Sequence, residues 1–202
     1  TRDFVAFLRY EAADERGTPN PLAVAGRPAL ARALAHGTSQ SGRYLRDLVH
    51  RGFNEDVQRR IVFDGINPHI ATARLFLNHR FAQPSRDAHP FMNMFYPTDI
   101  FPFTDLDQTD PETSLTDGLL ARAEKAGVTP KIFYTNSSCE YYGRAASLIH
   151  TTLDGGQDAP LAKDTRVYLF AGSQHGPAGF PPPRSGTQNP TNPNDFRWSM
   201  RA

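Results

Sequence analysis

Ser39, His175 and a carboxylate between them in the chain are the residues whose types and order fit covalent chemistry. Ser39 lies in Gly37-Thr38-Ser39-Gln40-Ser41-Gly42, between an apolar stretch and an amphipathic one. A serine hydroxyl is a weak nucleophile until a neighbouring base takes its proton. Histidine does this near neutral pH, and a carboxylate behind it fixes the tautomer and stabilises the imidazolium. His175 follows the apolar segment VYLFAG and precedes Gly176-Pro177, which would hold its loop. Two acids compete for the third place. Glu140, in TNSSCE, is followed by YYGRAAS, a helix start that would hold it rigidly. Asp64, in VFDG, precedes a glycine and equally fits an Asx turn. Glu140 is the preferred acid.

The serine segment departs from the G-x-S-x-G pattern of a nucleophile elbow, the sharp strand-to-helix turn that exposes a reactive hydroxyl. Ser41 stands where the second glycine belongs, and Gly42 follows one place later. Taking Ser41 as nucleophile would put Ser39 and Arg43 at both glycine positions, so Ser39 is the better choice. A side chain as small as Ser41 is expected to permit close helix–strand packing. The competing reading is a glycine-rich turn capped by the Ser39 or Ser41 hydroxyl.

Other chemistries are less well served. His36 sits just before the elbow and reads as a packing or supporting residue. His69, His79 and His89 match no compact metal-ligand spacing. The segment 105–110, DLDQTD, lacks the glycine and the later glutamate of a calcium loop. No metal and no cofactor is expected. Cys139, the sole cysteine, rules out an internal disulfide and reads as a small buried filler. Arg43 and Arg144 are candidates for a substrate carboxylate, with a plain surface position as the alternative.

Elements must bring these residues together. Phe4, Phe7, Leu8 and Ala12 recur at helical spacing. A Pro/Gly-rich linker follows, then 29–36, which fits a short helix or a buried strand ended by Gly37. Tyr44, Leu45, Leu48 and Val49 form one apolar face of a helix from Ser41. Short strands are predicted over 60–65, 131–136 and 165–172, and helices over 114–127 and from Glu140 to Thr151. Strands alternating with helices predict a parallel sheet covered on both faces, with functional groups at the carboxyl ends of its strands. The connection from 66 to about 130 is too long for a plain loop and too aromatic for disorder. It contains HPFMNMFYPTDIFPF (89–103), which either caps the site or packs on the sheet. The tail from Phe180 reads as extended loop.

Composition sets outer bounds. The 202 residues suffice for one domain with a sizeable core. A net charge of +1 gives no electrostatic footprint for nucleic acid or an anionic membrane. No run approaches the ~20 apolar residues that span a bilayer. The chain opens without Met on a helix already under way and shows no signal-peptide pattern. Its N-terminus is expected to be missing, which leaves compartment open.

Four segments in order, GTSQSGRYLRDLVHRGFNED, VFDGINPHIA, SSCEYYGRAASLIHT and VYLFAGSQHGP, together resemble a group of mostly bacterial alpha/beta hydrolase domain proteins. The likeness runs from about Asp3 to Trp198. The elbow also resembles that of glucuronoyl esterases, with Gly37, Ser39, Gly42 and Arg43 in the matching places. The resemblance implies the C-terminal half of an α/β-hydrolase fold: one partial domain over 1–202, with a parallel sheet, flanking helices and a cap-like insertion at about 70–128. It implies a Ser39–Glu140–His175 triad, with the backbone N–H of Gln40 as one oxyanion donor and the other donor in a preceding half. The expected activity is hydrolysis of a small carboxylic ester through an acyl-enzyme. A non-catalytic binding module on the same fold, or an acyltransferase, are the alternatives.

Overall fold

The computed structural model describes residues 1–72 and 99–176. Its centre is a parallel four-stranded sheet in the order β1 (Leu34–Thr38), β2 (Gly65–His69), β5 (Lys131–Ser137), β6 (Thr165–Phe170). β3 (Gln108–Thr109) and β4 (Thr116–Asp117) form a separate antiparallel pair. The helices are α1 (Arg2–Tyr10), α2 (Gln40–His50), α3 (Ala121–Ala126) and α4 (Ser138–Gly143), with a 3₁₀ turn at Ser147–Ile149.

α2 connects β1 to β2 and packs on both. Leu45, Leu48 and Val49, spaced for one helix face, are buried against Ile66, Ile132 and Tyr134 from the sheet. Leu119, Leu120 and Ala123, at and before α3, complete this core. Each fully buried aliphatic side chain contributes ~1.5–3 kcal/mol. The core lies on one sheet face. Among the described residues the other face leaves Leu34, Phe133 and Tyr168 substantially exposed, so the expected cover on both faces is described on one only.

Four expected elements are displaced or cut short. The helix predicted from Glu140 to Thr151 ends at Gly143, where Arg144 turns to extended backbone, and only a 3₁₀ turn at Ser147–Ile149 follows. The strand predicted at 60–65 begins at Gly65 and runs to His69. Val62 and Phe63 are buried as predicted for apolar residues, but their backbone is satisfied elsewhere. The Asn54 side chain bonds both N–H and C=O of Phe63 (2.9 and 3.0 Å), and Arg9 Nη1 donates to the carbonyls of Ile61 (3.2 Å) and Val62 (3.1 Å). β1 runs through Gly37 to Thr38 instead of ending there. The helix predicted over 114–127 covers only 121–126, since Gly118 lies backbone-to-backbone on Asp105 and Leu106, where a Cβ would sit 2.8 Å from the Asp105 carbonyl oxygen.

Of the expected cap-like insertion, 73–98 lie outside the described residues, including most of HPFMNMFYPTDIFPF. Of the part from Asp99 onward, Thr104, Asp105, Leu119, Leu120 and Ala123 are buried, while most of 107–116 is exposed. Fully buried Arg46 of α2 donates through Nη2 to the Phe103 carbonyl (2.5 Å) and stacks on the Tyr134 ring. Asp105 accepts from Tyr134 Oη (2.7 Å) and Thr165 Oγ1 (2.5 Å). The tail from Phe180 also lies outside the described residues.

Candidate active site

All four sheet strands run the same way, so their carboxyl ends form one rim. Ser39 follows β1, Glu140 lies just past β5, and His175 lies five residues past β6. Ser39 has φ 57° and ψ −120°, a positive-φ backbone that a non-glycine residue rarely adopts and that is associated with functional sites. Its N–H donates to the His69 carbonyl at the end of β2 (2.9 Å), and its carbonyl accepts from Arg43 N–H (3.0 Å). The strained turn is thus held from both sides.

The glycines that this turn needs are Gly37 and Gly42. A Cβ on Gly37 would lie 2.5 Å from the Ser41 carbonyl oxygen, and one on Gly42 would lie 2.5 Å from Ala71 Cβ and 2.6 Å from the Gly37 oxygen. Ser41 is exposed. Close packing against β2 therefore falls at position 42, and the small size of Ser41 is not what permits it.

Ser39 is the N-cap of α2, yet its hydroxyl makes no capping bond. Ser39 Oγ instead lies 3.0 Å from His175 Nε2. On the other side of the ring, His175 Nδ1 meets Glu140 Oε1. An ionised carboxylate only accepts, so Nδ1 carries the proton and Nε2 is left to accept from the Ser39 hydroxyl. Gln40 is the first residue of α2, at the positive end of the helix dipole.

Glu140 is fully buried. A buried charge is tolerated only when its oxygens are met by donors. Oε1 faces His175, while Oε2 accepts from the Ser137 N–H (3.3 Å) and hydroxyl. Burial pushes the Glu140 carboxyl up, but the bonds from His175 and Ser137 outweigh it and hold the group below the usual carboxylate range. The His175 turn is laced to the same helix start, with Gly172 N–H donating to Ser138 Oγ (2.8 Å).

Asp64 is elsewhere. With β2 starting at Gly65, it stands at the amino end of the strand, opposite the rim. It accepts from Arg9 Nη2 (2.9 Å) and the Ala33 N–H (2.8 Å). Burial raises its pKa, and those two donors bring it net below the ordinary value.

His36 is exposed on β1, its Nδ1 donating to Asn67 Oδ1 (2.6 Å). His69 is buried at the end of β2. Burial, and then the nearby His36, lower its pKa, which keeps it neutral. His79 and His89 lie outside the described residues. Among those described, no group of three or more His, Cys, Asp or Glu could hold a metal, and no helix is long and apolar enough to cross a membrane. Cys139 is exposed, contrary to its reading as a buried filler. Arg43, in the first turn of α2, is buried, and the Arg144 side chain, 12% exposed, lies 3.7 Å from Asp99; neither is the surface residue of the plain alternative. An open groove lined by Leu34, Phe133 and Arg166 lies on the exposed sheet face, toward the amino halves of the strands and away from Ser39.

Ser137 was not singled out by sequence reasoning. Its signal was present: Ser137-Ser-Cys-Glu140 is a capping box, and both reciprocal bonds form.

A family model described as "Alpha/beta hydrolase domain" matches residues 1–200. Searches of curated proteins and of solved structures found no match.

Proposed function

Because this chain belongs to the alpha/beta hydrolase domain family, we propose that it is a serine hydrolase of carboxylic esters, with Ser39 as nucleophile, His175 as general base and Glu140 as the orienting acid. The observation that carries this reading is a serine at positive φ whose hydroxyl lies 3.0 Å from a carboxylate-backed imidazole. As Ser39 Oγ attacks the ester carbonyl carbon, its proton passes to His175 Nε2. Glu140 stabilises the imidazolium through Nδ1–H. The tetrahedral oxyanion is met by the Gln40 backbone N–H at the start of α2. Collapse expels the alkoxide, which leaves as alcohol with the proton from Nε2. His175 then deprotonates a water that attacks the acyl-Ser39 ester, and a second collapse returns the carboxylic acid and the free hydroxyl. Glu140, held below the ordinary carboxylate range, is ionised throughout the neutral pH range.

The test is turnover of a p-nitrophenyl acyl ester series by the wild-type chain and by Ser39→Ala. Ser39→Ala is expected to fold normally and to lose turnover by at least ~10³-fold. Equal turnover by the two proteins would exclude Ser39 as nucleophile.

A further inference from the structure

The capping box at the start of α4 also works on the acid. Ser137 is the last residue of β5, the N-cap of α4, and fully buried. Its Oγ accepts from the Cys139 N–H (3.2 Å), which occupies a lone pair and leaves its single proton for Glu140 Oε2. Its own N–H donates to the same oxygen (3.3 Å). Two donors from one residue therefore converge on Oε2. The terminal torsion of a glutamate is broad and roughly two-fold, so nothing intrinsic to Glu140 decides which way its carboxylate plane lies. In a fully buried pocket the donors decide it.

We propose that Ser137 is a positioning residue, whose hydroxyl and N–H clamp Oε2 of Glu140 so that Oε1 is presented to His175 Nδ1. The inference rests on the triad reading above. A helix-capping device thereby doubles as the support of the catalytic acid: the Glu that closes the cap is the Glu that orients the base. Without the hydroxyl, Glu140 keeps one backbone donor on Oε2 and gains freedom to rotate off the imidazole.

Serine at an N-cap has an ordinary structural role, and the test must separate the two. Glycine caps nearly as well as serine but has no hydroxyl, whereas threonine keeps the hydroxyl. Turnover of p-nitrophenyl acetate is measured for wild type, Ser137→Gly, Ser137→Ala, Ser137→Thr and Ser39→Ala. The downfield proton NMR signal of the His175 Nδ1–H is recorded for each resting protein. Ser137→Gly and Ser137→Ala are expected to lower kcat by about 10- to 100-fold, the loss of one charge-assisted hydrogen bond, with KM within about two-fold. The imidazole signal is expected to weaken or move upfield in both, and Ser137→Thr to restore both readouts. Wild-type kcat and an unmoved signal in Ser137→Gly, with only Ser137→Ala losing melting temperature, would reduce Ser137 to a helix cap and overturn the proposal. Should the threonine not be accommodated, the glycine–alanine pair decides alone. Failure of the triad reading shows separately, as turnover retained by Ser39→Ala, and the imidazole signal then still tests the clamp.

Discussion

Replacing Glu140 by glutamine tests the orientation of the base more sharply than deleting the side chain. The carboxylate is fully buried and meets donors at both oxygens: His175 Nδ1–H at Oε1, and the Ser137 N–H and hydroxyl at Oε2. A glutamine fills the same volume but offers one oxygen and one NH₂. With the NH₂ toward Ser137, it opposes a backbone N–H that cannot reverse. With the NH₂ toward His175, the ring must present a bare Nδ1, which moves the proton to Nε2 and removes the acceptor for the Ser39 hydroxyl. The second arrangement leaves the Ser137 donors satisfied and is the one expected to prevail. The wrong tautomer costs ~10⁴-fold in kcat in a serine–histidine–carboxylate system. Stability should change less by comparison: one mismatched buried bond costs ~1–3 kcal/mol. The assay is steady-state kinetics on p-nitrophenyl acetate beside thermal melting. Asp64→Asn is the internal control, since it loosens Arg9 at the far end of the sheet and is expected to lower melting temperature while leaving kcat within about two-fold. A folded Glu140→Gln within ten-fold of wild type, or an Asp64→Asn that folds but does not turn over, would refute the reasoning.

Further outcomes are expected. Gly42→Ala forces a Cβ to 2.5 Å from Ala71 Cβ and 2.6 Å from the Gly37 oxygen, an overpacking that should cost ~1–3 kcal/mol by denaturant titration; exposed Ser41→Ala should change neither stability nor kcat. Ser138→Ala removes the acceptor for Gly172 N–H and should lower kcat several-fold at unchanged KM, read by the same ester assay. The Glu140 pKa is depressed on folding, so its stabilising contribution is complete above the unfolded carboxylate pKa and lost as pH falls through the folded one. Melting temperature against pH should accordingly fall less steeply on the acid side in Glu140→Gln than in wild type. Asp64 is depressed likewise, and Asp64→Asn should flatten the same limb.

Much of the scaffold was legible where one physical rule dominates. α2 shows an apolar face in Leu45, Leu48 and Val49, and β5 and β6 each carry a short apolar stretch rich in strand-favouring residues (132–134 and 167–170), so pattern and structure agree there. β2 was misplaced because its sequence, GINPH, carries a glycine and a proline, whereas the preceding RIVFD looks more strand-like. Asn54 and Arg9 bind that apolar stretch through its backbone and turn it into an ordered loop, a tertiary effect that periodicity does not carry. The same five-residue shift moved Asp64 from one end of the sheet to the other. At the site, Ser39, Glu140 and His175 were legible as chemical types in chain order, and the structure brings them within contact. The roles of Gly42 and Ser137 were not, because each depends on what stands opposite: Ala71 and the Gly37 carbonyl for the one, a buried carboxylate oxygen for the other.

The central claim is that the Ser39 hydroxyl is the activated nucleophile. It is tested most directly by treating the wild-type protein with a fluorophosphonate ester and mapping the adduct by peptide mass spectrometry. The expected result is one phosphonyl adduct on Ser39, absent in Ser39→Ala and strongly slowed in His175→Ala. An unlabelled protein, or an adduct on Ser41 or Ser137 in place of Ser39, would contradict it.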